Sequence, residues 1–169
     1  RAASLEQGRE LGVVLEIKHA TYFAGLGWDI AELVEAELVA AGWALGELPL
    51  TIEAFESTVL RRLRERGIRG TYVYLLEAAG RPYDLIAAFG RAAPTYKETV
   101  RPAGLDTLVG VVDGISVDKR MILAPDKLGV AADTLRDQLG MLDEIRLRFD
   151  HAGDQQLAVG QLDALEQRP

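Results

Sequence analysis

The sequence predicts an α/β fold in which a parallel sheet is covered by helices. Three observations predict it. Four short apolar, largely β-branched runs begin near residues 13, 48, 71 and 113. Stretches with helical periodicity separate them, so the connections are right-handed crossovers and the strands run parallel. The chain is 169 residues long, close to the ~100–200 residues of one domain.

Gly12 marks the exit from a helix expected around Leu5 to Leu11. Val13-Val14-Leu15-Glu16-Ile17-Lys18 is a β-branched run that turns polar at its end, and reads as the first strand. From Asp29, a capping residue, Ile30, Leu33, Val34, Leu38 and Val39 recur at helical spacing until Gly42 ends the helix. Leu48 to Phe55 returns to strand character. Glu56-Ser57-Thr58 then leads into a helix with Val59, Leu60 and Leu63 inside and arginines outside, ending at Gly67. Thr71 to Leu76 is the clearest strand, followed by the turn dipeptide Arg81-Pro82 and a short helix through Leu85, Ile86 and Phe89. Leu105, Leu108 and Val109 make a helical turn before a fourth strand over Val111 to Val117, which runs into Asp118-Lys119. Leu135, Leu139, Leu142 and Ile145 form one helical stripe and Leu157, Leu162 and Leu165 another, joined near His151-Ala152-Gly153. Residues 131–169 are therefore expected to form a C-terminal helical hairpin of the same domain.

Composition narrows the function. Nineteen Lys and Arg against 26 Asp and Glu give a net charge of −7, a field that repels phosphate backbones, so no nucleic-acid partner is expected. The five arginines Arg61, Arg62, Arg64, Arg66 and Arg69 read as a solvated helix face. Apolar stretches such as Leu33 to Leu45 are interrupted by Glu35 and Glu37, short of the ~20 residues a spanning helix needs. Without cysteine there are no disulfides, thiolate metal sites or cysteine nucleophiles, and the compartment, cytoplasmic or secreted, stays open. The chain begins at Arg1 with neither methionine nor a signal-like segment, so an upstream portion is expected. Walker A, dinucleotide, zincin and serine-hydrolase motifs are all missing from the sequence.

Each strand ends in polar residues: Glu16 and Lys18, Glu53 and Glu56, Glu77, then Asp118 and Lys119. In parallel α/β sheets reactive groups gather at these ends, although strand ends also turn polar because they emerge into water. Glu16 and Lys18 are the strongest pair. Two residues apart on a strand, they share a face, with Leu15 and Ile17 turned to the helices. A carboxylate and an ammonium on the inward face of a sheet are costly unless a ligand, metal or counter-charge compensates.

The segment Glu16-Ile17-Lys18-His19-Ala20-Thr21-Tyr22-Phe23 resembles the E-x-K-H-P-T-Y-F stretch of the glycerophosphodiester phosphodiesterases. Ala54-Phe55-Glu56 resembles that family's S-F-E strand end, Arg61-Arg62-Leu63-Arg64 its next helix, and Tyr72 to Glu77 the following strand. Gly114-Ile115-Ser116-Val117-Asp118-Lys119 resembles its G-I-x-x-D-K segment, so the matches run in order from Val13 to Pro125. The resemblance implies that residues 1–130 are part of a (β/α)8 barrel, about four βα units. It implies hydrolysis of glycerophosphodiesters to glycerol 3-phosphate and an alcohol, with Ca²⁺ or Mg²⁺ at the top face. Carried over by position, Glu16 is a metal ligand, and Lys18, Phe55 and Lys119 line the phosphate pocket. Oxygen ligands suit such cations, and a lysine stabilises phosphoryl charge. Ala20 and Ala54 stand where the family has proline and serine. The family's His-Arg-Gly strand, Glu-x-Asp pair and His-Asp-Pro segment, which hold its acid and base histidines, are absent. His19 and His151 lie outside those motifs, and from Ala131 the sequence departs from the family's ending.

Two readings follow. One is an incomplete, inactive portion of a phosphodiesterase. The other is a non-catalytic scaffold or oligomerisation module. In either, exposed strand edges lead to an expectation of self-association.

Overall fold

The computed structural model describes residues 11–123 and 156–161, with Glu6 and Gly8 before them. A five-stranded sheet carries β1 (Val13–Ile17), β2 (Leu50–Ala54), β3 (Thr71–Leu76), β4 (Gly114–Asp118) and β5 (Gln156–Gln161) in sequence order. The first four strands pair in parallel, Glu16 opposite Glu53, Ile52 opposite Tyr72 and Ile115 opposite Tyr74. The α/β class and the parallel sheet are therefore present. β5 departs from the expectation, because residues 156–161 form a strand antiparallel to β4 rather than part of a helix. Leu157 and Val159 are two apart, a spacing that suits a strand as well as Leu157, Leu162 and Leu165 suit a helix, and pairing satisfies the outer edge of β4. The other residues of the expected hairpin, and most of the expected helix around Leu5 to Leu11, lie outside the described residues.

Seven helices appear in the described chain: α1 (Ala20–Gly25), α2 (Ile30–Ala41), α3 (Ser57–Glu65), α4 (Tyr83–Phe89), α5 (Tyr96–Thr99), α6 (Pro102–Asp106) and α7 (Lys119–Leu123). Among them no helix is long and apolar enough to cross a membrane. α2 is bounded as its sequence requires. Asp29 accepts a hydrogen bond from the Glu32 amide, and Gly42 closes the other end in the left-handed conformation that glycine adopts freely. The fourth strand starts later than Val111, because Gly110 at φ 72° turns the chain first; Val111 and Val112 are buried in that turn.

The main core cluster lies on one face of the sheet. Ile17, Leu50, Ile52, Ala54, Tyr72, Tyr74, Leu76, Ile115 and Val117 pack there against Ala31, Leu38, Leu60, Leu63, Leu105 and Met121, with Leu15 alongside. Period-two alternation sends Glu16, Glu53, Val73, Leu75 and Ser116 to the opposite face. The arginine face of α3 is not simply solvated. Arg62 and Arg66 pair with Asp29, Arg66 also with Glu35, which fastens α3 to α2. Arg64 bonds Asp113 at 2.6 Å and lies 4.5 Å over the Tyr72 ring, and the same Asp113 carboxylate accepts the Tyr72 amide at 2.7 Å. This cluster ties the N-terminal end of the sheet together. Burial pushes the Tyr72 phenol up to about 12, with Arg64 opposing and Asp113 adding to the shift.

Candidate functional site at the C-terminal rim of the sheet

Glu16 and Lys18 form an ion pair at the C-terminal end of β1, on the face away from the helices. The side chains are 29% and 63% exposed. The desolvation cost expected of an inward-facing pair is thus small: each group is the other's counter-charge, and the ammonium stays wet. β2 places Glu53 in register beside Glu16, so two carboxylates and one ammonium share this end of the sheet. Phe55, just past β2, is partly buried and packs on the core. Lys119 is exposed at the start of α7, beside an Asp118 carboxylate held by the Arg120 guanidinium. The Arg120 side chain and amide hold the Asp118 carboxyl below its ordinary range against the upward push of burial. Lys119 follows β4, three strand spacings of about 4.8 Å from β1. The structure therefore brings Glu16 and Lys18 together, but not Lys119 with them.

Ca²⁺ and Mg²⁺ need six or more oxygen ligands. Glu16 and Glu53 are the right donor type, yet one is paired to Lys18. Among the described residues no group of three or more His, Cys, Asp or Glu is placed to hold a metal ion.

Beside this pair lies a buried polar cluster of which the sequence singles out Glu56 but not Asp84. Glu56 and Asp84 are both 5% exposed. Asp84, in α4, accepts hydrogen bonds from the Thr58 amide at 2.9 Å and the Thr58 hydroxyl at 2.8 Å, and so caps α3 from another element. Glu56 occupies the N-cap position of α3 but makes no cap there. Its carboxylate instead accepts the Thr21 amide of α1 at 2.9 Å. The Tyr74 hydroxyl is buried without a hydrogen-bond partner of sound geometry. Burial drives the Tyr74 phenol far up, Asp84, Tyr96 and Glu56 adding to it while the Ser57 hydroxyl opposes. The Tyr96 phenol rises for the same first reason, with Glu77, Asp84 and Glu56 contributing. An acidic residue after Pro82 does signal a helix start. The helix that it caps is set by tertiary packing.

Comparison with known proteins adds no identification. No family model matches the chain, and no curated protein matches it significantly.

Proposed function

We propose that this chain is part of a glycerophosphodiester phosphodiesterase-like (β/α)8 barrel, in which Lys18 binds the phosphoryl group and Glu16 stands beside it. The observation that carries the reading is the Glu16–Lys18 pair, its ammonium exposed, on the face of the sheet opposite the helix-packed core at a strand's C-terminal end. An ammonium there serves as a point cation for phosphoryl oxygens. Glu53 of β2, in register with Glu16, adds charge from a second strand, and barrel enzymes draw their rim residues from several strands.

The chain alone is expected not to turn substrate over. General acid–base catalysis contributes typically ~10²–10⁴-fold, and the family's acid and base motifs are missing from the sequence. The divalent cation that the resemblance implies needs ligands that these residues do not supply. The scaffold reading draws support from the buried acids of the rim, since Glu56 and Asp84 cap helices. Titration of the 169-residue chain with sn-glycerol 3-phosphate, followed by ³¹P NMR, separates the two. Saturable binding that Lys18→Ala abolishes supports the phosphodiesterase-derived site; no binding leaves the scaffold.

A further inference from the structure

We infer that Glu56 is a positioning residue: by accepting the Thr21 amide across the strand ends, it holds His19 in a left-handed turn and so fixes where Lys18 stands. The functional half of this inference rests on the role proposed above for Lys18.

His19 follows Lys18 directly and has φ 57° and ψ 35°, the one non-glycine residue with positive φ among the described residues. An L-residue adopts that conformation at a cost, and such strain persists where its surroundings over-determine it. His19 offers no side-chain cap to α1, the six-residue helix that it opens. The first amides of a helix lack intrahelical acceptors. Phe23 is the first to find one inside, bonding the His19 carbonyl at 3.1 Å. Thr21 finds its acceptor on Glu56, 35 residues away. A buried carboxylate needs partners, and this one is available because Asp84 has taken over the capping of α3. The resulting relay runs along the rim. α4 caps α3 through Asp84, the residue before α3 caps α1, and the start of α1 sets the turn that leaves β1 at Lys18.

The test uses the full 169-residue chain, labelled for amide exchange. In the wild type the Thr21 amide should exchange about tenfold more slowly than that of Tyr22, for which no acceptor is found; a hydrogen bond to a carboxylate is worth that much. Glu56→Gln keeps a carbonyl acceptor and should retain the protection. Glu56→Leu should lose it, shift the His19 amide–α-proton coupling away from its left-handed value, and weaken sn-glycerol 3-phosphate binding about tenfold. Adding His19→Gly to Glu56→Leu should restore binding, because glycine holds that turn unaided; a merely stabilising role for Glu56 would not be rescued in this way. Equal exchange of Thr21 and Tyr22 in the wild type overturns the inference without any variant, even if Glu56→Leu fails to fold. Failure of the glycine rescue overturns the link to Lys18. If the wild type binds no glycerol 3-phosphate, the proposed function fails, and the exchange and coupling data alone decide the positioning.

Discussion

Single side chains at the rim divide into those that hold structure and those left open to a ligand. Asp84→Ala removes the acceptor of the Thr58 amide and hydroxyl, and should cost about 2 kcal/mol in urea unfolding. Tyr74→Phe runs the other way. Its hydroxyl is buried without a hydrogen bond of sound geometry among the described residues, with the Ser57 hydroxyl near it, so removing it should leave stability unchanged or raise it by up to about 1 kcal/mol; a loss of more would show that the Ser57 contact is a real bond. Glu16→Gln frees the Lys18 ammonium from its carboxylate, and should tighten glycerol 3-phosphate binding severalfold in the ³¹P titration while stability barely moves. Glu16 and Lys18 were legible because period two puts them on one face whatever the rest of the chain does. Lys119 could not be placed in this way, since its distance from β1 depends on three strand pairings that no local pattern encodes. Glu56 reads as a polar strand end and Asp84 is not singled out by the sequence, because each acts on a helix other than the one its sequence position suggests.

At the level of elements, the parallel strands and the helices of seven residues or more were readable and the shortest helices were not. α2 and α3 carry caps, glycine stops and an apolar stripe. α1, α5 and α6, at six, four and five residues, are too short for periodicity to separate from turn. β5 was read as helix because its apolar spacing suits both periods and the unpaired edge of β4 decided between them. The junction of α5 and α6 depends on Gly104, where a Cβ would sit 2.5 Å from the Glu98 and Thr99 carbonyl oxygens. Gly104→Ala should therefore destabilise by about 1–3 kcal/mol, measured by thermal or urea unfolding. The α2–α3 junction is electrostatic. Burial raises the Asp29 carboxyl, but the Glu32 amide, Arg62 and Arg66 outweigh it and leave it below the ordinary value. A carboxyl lowered on folding stabilises above its unfolded value, about pH 4, and that contribution fades as pH falls through the lower native value. The urea midpoint should drop on acidification below about pH 4, and Asp29→Asn should flatten that drop.

Across the whole molecule, the sheet ends in an edge strand at either side among the described residues. β1 has β2 and β5 has β4 as its sole strand neighbour among the described residues, and Val13 and Val14 of β1 are exposed. Sedimentation at tens of micromolar should show concentration-dependent association; a monomer throughout that range would count against an open edge. An assay with glycerophosphocholine and Ca²⁺ or Mg²⁺ should show no hydrolysis above background, and turnover at ordinary enzyme rates would refute the proposal of an incomplete site. The fold class was legible from alternation alone, because crossover handedness leaves few topologies. Closure into a barrel belongs to the proposal alone, since nothing in one strand's sequence states how many neighbours would complete a ring. The relay of caps bears on how far such a rim can be recombined. In a barrel enzyme each strand-to-helix loop is usually treated as an exchangeable cassette. Here Asp84 serves the helix of the preceding unit, and Glu56 serves the unit before that. A graft of the β3–α4 unit alone, α4 included, would import a foreign residue at 84 and strip α3 of its cap, so chimeras of this chain should tolerate exchange of consecutive units together and reject exchange of one.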